Sequence, residues 1–303
     1  MAEYLALVDV GSHAVRLLLA QALPGVGFCI LREGRVRTRL GGGDSPALAP
    51  AAVAETIRAV RRFLREVRGY KPRPVAVATA AVREATNRAL LLDGLREAGI
   101  EVEVLSGEEE ARLGALTVLR SMSCPRAVIV DLGGGSLQMT QVRGGEIVAA
   151  ASFPLGAVRL TRRFLKHDPP AAHELAALRE EVRAQVQSFL PRAQGDAVLV
   201  GLGGTARALA RMHGAARARH DLLPPTISLP RSDVTRFRGQ LAAVPARARH
   251  LPGLRADRAD IIVAGVVVIE ELMILGGYQT LTICFHGGVR HGVLARETFR
   301  TGG

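Results

Sequence analysis

The chain has 303 residues, 48% of them hydrophobic, which is enough to bury a sizeable core and to form two domains. Its formal net charge is +12, and almost all of that excess is arginine, because Lys71 and Lys166 are the only lysines. Such a charge invites a polyanion (nucleic acid, inorganic polyphosphate or a nucleotide), although arginine and alanine richness can equally reflect a biased genome; with aromatic residues at only 4% and no RNP-like motif, zinc finger or long basic tail, nucleic acid is the least favoured of these.

Strands and helices alternate along the chain, the mark of an α/β fold. Residues 4–9, 15–22 and 27–32 read as a three-strand meander, followed by a glycine-rich loop at 41–44. Val53, Ile57, Val60, Leu64 and Val67 recur at helical spacing, predicting an amphipathic helix over 51–67. A strand over 74–79, a helix over 83–98, a strand over 101–105 and a helix from about 109 to 119 complete the first half. Residues 121–125 are a plausible boundary, giving an N-terminal domain of 1–123 and a C-terminal domain of 124–303. Residues 127–131, 137–142 and 147–153 repeat the three-strand opening. A polar helix over 174–190, a strand over 197–200 leading into a glycine turn and helix, a buried helix over 264–275 and a strand over 280–285 follow. The terminal helix, about 293–303, has either lobe available to pack on.

Two strings 122 residues apart share one design: Leu7-Val8-Asp9-Val10-Gly11-Ser12 and Ile129-Val130-Asp131-Leu132-Gly133-Gly134-Gly135-Ser136. Each is an apolar run that ends on an aspartate, breaks into glycine and a hydroxyl, and resumes as a second apolar run. Both could be plain tight hairpins. A hairpin turn, however, needs neither three glycines nor an aspartate before it twice, whereas free N–H groups in a turn form a concave anion site. The repetition predicts two related lobes that grip one phosphate chain between them.

Eight blocks in order resemble the exopolyphosphatase/guanosine pentaphosphate phosphatase (Ppx/GppA) family of the actin-like, sugar kinase and Hsp70 superfamily. They are VDVGSHAVRLLLA from Val8, ATAAVREATN from Ala78, VEVLSGEEEARL from Val102, VIVDLGGGSLQM from Val128, FPLGAVRLT from Phe153, VGLGGTARALA from Val200, DRADIIVAG from Asp257 and GGVRHGVL from Gly287. The resemblance implies two ribonuclease H-like (actin-like ATPase) domains with an interdomain cleft, in the short form without an appended helical C-terminal region. It implies a cytoplasmic, Mg²⁺-dependent hydrolase that takes terminal orthophosphate from inorganic polyphosphate or the 5′ γ-phosphate from guanosine pentaphosphate, with a homodimer as one possible assembly.

The resemblance also suggests roles. Glu110, the glutamate before Ala111, corresponds to the base that activates water. Helix-dipole preference accounts for Glu108 and part of Glu109. Gly11, Ser12, His13, Arg83, Gly133, Gly134, Gly135 and Ser136 correspond to phosphate-binding positions. Gly203, Gly204 and Thr205 read equally as a phosphate-approaching segment and as a strand-to-helix turn. Asp131, helped by Gln138 and Asp9, corresponds to the Mg²⁺ site. Arg159 and Arg290 are weaker phosphate candidates, and Asn87 reads as a structural hydrogen-bonding residue.

Three blocks depart from the family pattern, at four positions. His13 and Ala14 stand where Asn and Ser or Thr are usual, Gln138 where Glu is usual, and His291 where Glu is usual. Gln138 keeps an oxygen donor but loses a charge, so a low-activity or non-catalytic protein that binds polyphosphate, an alarmone or a nucleotide is the alternative. Cys29, Cys124 and Cys284 are far apart, and the histidines lack paired spacing, which fits a reducing compartment and no zinc site. Glu3 interrupts the apolar start and no basic segment precedes it, so no signal peptide is expected. The apolar run 261–275 is broken by Glu270 and Glu271 and is too short to span a bilayer.

Overall fold

A computed structural model describes residues 3–23, 27–41, 46–216, 226–285 and 287–300. The chain forms two compact units, residues 1–113 with 289–303 and residues 114–288. Compactness therefore divides the chain within a helix, at Leu113/Gly114, ten residues earlier than the loop at 121–125 suggested. The terminal helix belongs to the first unit.

In the first unit, β1 (Tyr4–Val10), β2 (Val15–Leu23) and β3 (Gly27–Val36) form an antiparallel meander. Helix α1 (Pro50–Val67) leads to β4 (Arg73–Ala78), parallel to β1. The short α2 (Ala80–Arg83), then α3 (Arg88–Glu97), β5 (Val102–Val104) and the start of α4 (Gly107–Ser121) follow. The sheet order is β3-β2-β1-β4-β5. Central β1 is buried on both faces. Leu5 and Leu7 pack with Leu113, Val289, Val293 and Leu294, the last three on α10 (Val289–Arg300). Val8 and Val10 pack with Val53, Val60, Phe63, Leu91 and Leu95 of α1 and α3. At roughly 1.5–3 kcal/mol for each fully buried large aliphatic side chain, these two layers are the main stabilising term of the unit.

The helix expected over 83–98 is broken. Asn87 pairs with Leu48 in both directions, accepting from its N–H at 2.7 Å and donating to its carbonyl at 3.0 Å. The Thr86 N–H bonds to the Pro46 carbonyl. These long-range bonds draw residues 84–87 out of helical geometry, so Arg83 ends α2 and α3 starts at Arg88. Asn87 is thus the structural hydrogen-bonding residue expected. In the loop expected at 41–44, only Gly41 lies within the described residues.

The second unit repeats the plan. Strands β6 (Arg126–Leu132), β7 (Leu137–Arg143) and β8 (Glu146–Phe153) form the meander, and β9 (Val198–Leu202) runs parallel to β6. Helices α5 (Ala157–Phe164) and α6 (Ala172–Val186) precede β9, and α7 (Gly203–Ala216) follows it. Then come β10 (Thr226–Pro230), α8 (Arg231–Ala242), α9 (Ile262–Gly276) and β11 (Thr280–Cys284). Read from β8, the order β8-β7-β6-β9-β11 matches the five strands of the first sheet, with β10 added antiparallel at the edge. The ribonuclease H-like plan expected of each half is present in each.

Elements α5, β10 and α8 were not expected from the sequence, and α6 ends at Val186 rather than near 190. Helix α9 is buried almost all round. Its Glu270 and Glu271 are 2% and 1% exposed and meet Arg179 and Arg183 of α6 and Arg238 of α8 at 2.6–3.2 Å. Paired and hydrogen-bonded, two carboxylates are tolerated where unpaired charges would not be. No helix among the described residues is long and apolar enough to cross a membrane.

Candidate active-site residues

Each unit carries the same eight-residue strand-turn-strand segment. In the first, β1 and β2 pair Asp9 with Arg16 and Val10 with Val15, and the Gly11 N–H bonds to the Ala14 carbonyl at 3.3 Å. In the second, β6 and β7 pair Asp131 with Gln138 and Leu132 with Leu137, and the Gly133 N–H bonds to the Ser136 carbonyl at 3.0 Å.

In the first unit, Ser12 and His13 are buried, and their carbonyls accept from the N–H groups of Gly41 and Arg39. Gly41 is needed there because a Cβ would lie 2.8 Å from the Ser12 Cβ and 2.9 Å from the Ala81 Cβ. Asp9 is buried with two guanidinium groups beside it, Arg16 at 3.8 Å and Arg290 at 3.9 Å. Two guanidinium groups this close compete with a metal ion for its carboxylate.

Glu110 lies in the first turn of α4. The three glutamates there separate by what they touch. Glu108 is exposed and pairs with Arg112. Glu109 closes a capping box, its carboxylate accepting from the Ser106 N–H at 2.8 Å while its own N–H donates to the Ser106 hydroxyl at 3.1 Å. Those bonds from Ser106 hold the Glu109 carboxyl below the usual carboxylate range. Glu110 alone turns inward, 7% exposed, with its Oε2 3.3 Å from Arg83 Nη1. The same Nη1 donates to the Leu105 carbonyl at 2.9 Å, while Nε and Nη2 of Arg83 have no acceptor among the described residues. Arg83, expected to face phosphate, therefore first of all fixes Glu110.

In the second unit the glycine turn is clamped from behind. The N–H groups of Ala157, Val158 and Arg159 at the start of α5 donate to the carbonyls of Gly133 and Gly134, and Arg159 Nε donates to the Gly135 carbonyl at 2.8 Å. Gly156 makes this possible, since a Cβ there would overlap the backbone of Gly134 and Gly135. In a planar trans peptide the N–H points opposite the carbonyl, so the N–H groups of Gly134, Gly135 and Ser136 face away from α5. They have no acceptor among the described residues. Arg159 is a turn-positioning residue in this arrangement.

Asp131 sits in a hollow kept open by glycines. A Cβ on Gly203 would lie 2.6 Å from its Oδ1, one on Gly288 3.3 Å from its Oδ2, and one on Gly114 3.8 Å from Oδ2. Gly203 adopts a φ of 83°, which also favours glycine. Gln138 is 2% exposed, and its amide nitrogen donates to the hydroxyls of Ser136 at 2.6 Å and Ser152 at 3.0 Å. A carboxylate beside three glycines, with an amide on the paired strand, is a hard-oxygen set that fits Mg²⁺, which keeps several waters and takes few protein ligands. Among the described residues, no group of three or more His, Cys, Asp or Glu could hold a metal by itself.

Gly204 and Thr205 are placed differently from Gly203. The Arg258 guanidinium lies against Gly204 where a side chain would otherwise be. Thr205 is 1% exposed and packs on Gly265 of α9, so it joins two helices instead of presenting its hydroxyl to a ligand. Three features were missed in the sequence: Arg16 opposite Asp9, the hollow formed with Gly114 and Gly288, and the seat of Arg258 on Gly204. The identical spacing of the two segments pointed to the first. The other two depend on contacts between segments far apart in sequence.

Residues 20–300 match the model of the Ppx/GppA phosphatase family. An uncharacterized protein of Streptomyces coelicolor is 37% identical, covering 96% of this chain and 89% of that one. Exopolyphosphatase 1 of Mycobacterium tuberculosis is 32% identical, covering 97% of this chain and 88% of its own length. The crystal structure of the Aquifex aeolicus member of the Ppx/GppA family superposes with a TM-score of 0.82 at 27% identity, covering all of both chains.

Proposed function

The chain belongs to the Ppx/GppA phosphatase family, and from that premise we propose that it is a cytoplasmic exopolyphosphatase. It releases terminal orthophosphate from inorganic polyphosphate, and guanosine pentaphosphate is the second candidate substrate. The observation that carries the reading is Glu110: one inward-facing carboxylate among three glutamates, fixed by Arg83 at 3.3 Å.

Phosphoanhydride hydrolysis asks the protein for positioning and charge stabilisation more than for covalent chemistry. Glu110 takes a proton from the attacking water. The new bond forms between that water's oxygen and the terminal phosphorus, the bond to the bridging oxygen breaks, and the shortened chain leaves with the electron pair. The N–H groups of Gly134, Gly135 and Ser136 are offered to phosphate oxygens, as are Nε and Nη2 of Arg83. Asp131 and Gln138 are the residues that would hold Mg²⁺, which when bound supplies positive charge to the phosphate oxygens.

The test measures orthophosphate release from polyphosphate and from guanosine pentaphosphate side by side in Mg²⁺, for wild type and Glu110→Gln. A loss of about 10²–10⁴-fold with an unchanged unfolding midpoint is expected; equal rates would remove Glu110 as the base. Gln138, neutral and bonded to two hydroxyls, favours a second reading, a binding protein with little turnover. Calorimetric binding of either ligand by wild type with no phosphate released would select it.

A further inference from the structure

Helix α1 carries a row of arginines that the reading above does not use. Arg58, Arg61 and Arg65 lie on one face of the helix, and Arg68 directly after its last turn continues that face. All four are exposed. The row spans ten residues, about 15 Å of helix. Beside it, between α1 and the C-terminal end of α3, lies an open hollow of about 840 Å³. Its charged lining is Arg58, Arg61, Arg62, Arg65 and Arg68 against Glu55 and Glu97. The helices meet closely beside it, since a Cβ on Gly94 would overlap the Ile57 side chain.

Two of the arginines are already engaged. Arg58 pairs with Glu55, and Arg62 shares Glu66 with Arg32. Arg61, Arg65 and Arg68 have no acidic partner among the described residues. Three guanidinium groups repeating at i, i+4 and i+7 repel one another and gain nothing for the fold by standing together. They do form a linear array of phosphate-binding forks.

We propose that this face of α1 is a second binding surface for inorganic polyphosphate, holding a stretch of chain other than the end being hydrolysed. The lining chemistry selects that occupant. No aromatic side chain lines the hollow, so nothing there stacks on bases. Its apolar lining is limited to Ala59, Leu64 and Ala98, too little to seat a folded partner or enter a lipid surface. A flexible, unbranched inorganic polyanion needs only a row of cations. The inference rests on polyphosphate as the ligand class and is tested without relying on turnover.

The experiment compares wild type with the triple variant Arg61→Gln/Arg65→Gln/Arg68→Gln, all surface positions remote in sequence from the candidate catalytic residues. Binding of long-chain polyphosphate is titrated in chelator at several salt concentrations, with a single-stranded RNA as competitor. Affinity is expected to fall at least tenfold, and the slope of log affinity against log salt to shrink by about 2 for three lost contacts. Hydrolysis of tripolyphosphate is expected to be unchanged while the KM for long chains rises. The triple Arg→Lys variant, with the same charge, keeps the binding and controls for folding. Equal affinity of wild type and the Gln variant for long chains would overturn the proposal, as would tighter binding of the RNA with the same loss in the variant. A protein that binds long chains through these arginines yet hydrolyses nothing would overturn the proposed activity and leave this surface standing.

Discussion

The two strand-turn-strand segments have the same length, the same closing hydrogen bond and an aspartate at the same position, yet they are supported in different ways. In the first unit the turn's carbonyls are held by the loop after β3, and the residue opposite Asp9 is Arg16. In the second the turn is clamped by the amino end of α5, and the residue opposite Asp131 is Gln138. A cation opposite one carboxylate and a neutral amide opposite the other give similar backbones different electrostatics. The first aspartate has two guanidinium groups at 3.8 and 3.9 Å, whereas the second lies beside Gly114, Gly203 and Gly288. A duplicated segment has thus been differentiated both by the backbone that supports its turn and by the side chain opposite its aspartate.

The sharpest way to break the comparison is to disturb each turn from behind. Gly156→Ala puts a methyl group into the backbone of Gly134 and Gly135, where neither α5 nor the turn has a flexible neighbour to yield. We expect a stability loss of about 1–3 kcal/mol by chemical denaturation and loss of most phosphate release. Gly41→Ala meets the Cβ atoms of Ser12 and Ala81 at 2.8 and 2.9 Å, a lesser overlap than the 2.3–2.4 Å to backbone at Gly156, so its cost should be smaller. Equal effects would mean that the two turns are supported alike. Gln138→Glu sharpens the electrostatic side. A second carboxylate on the strand paired with Asp131 should lower the Mg²⁺ concentration for half-maximal activity by about tenfold, the scale on which metal-site side chains act. Calorimetry of Mg²⁺ binding checks it independently of turnover, and an unchanged affinity would take Gln138 out of the metal set.

The repetition itself was legible because Asp9 to Arg16 and Asp131 to Gln138 are local segments in which spacing determines register. The meanders, α1 and α9 were legible for the same reason: their periodicity is contained within one element. What escaped depends on contacts between segments. The break before Arg88 comes from Asn87 reaching Leu48, 39 residues away. Helix α5 is short and basic, and its amino end is satisfied by the glycine turn, so its own residues advertise little. Glu270 and Glu271 read as interruptions of an apolar run, because the arginines that accommodate them lie on α6 and on α8, which the sequence did not reveal. Among the candidate site residues, Glu110 and the glycine turns were readable from motif order. The bond from Arg83 to Glu110 and the hollow around Asp131 required coordinates.

The smallest expected effect concerns how the first unit sets its candidate base. Glu110 follows directly on the capping box of Ser106 and Glu109, so the start of α4 is fixed one residue before the proposed base. The Glu109 carboxyl is held below its ordinary value by the side chain and backbone of Ser106. A depressed carboxylate contributes its stability above its unfolded-state pKa and loses it as the pH falls through the folded value. Wild type should therefore exceed Glu109→Gln in unfolding midpoint at neutral pH, and the gap should close in the acid range. Ser106→Ala, which removes the hydroxyl acceptor, should cost about 1 kcal/mol. If the gap for Glu109→Gln stays constant with pH, its carboxylate is not what holds the start of α4, and Ser106 alone positions Glu110.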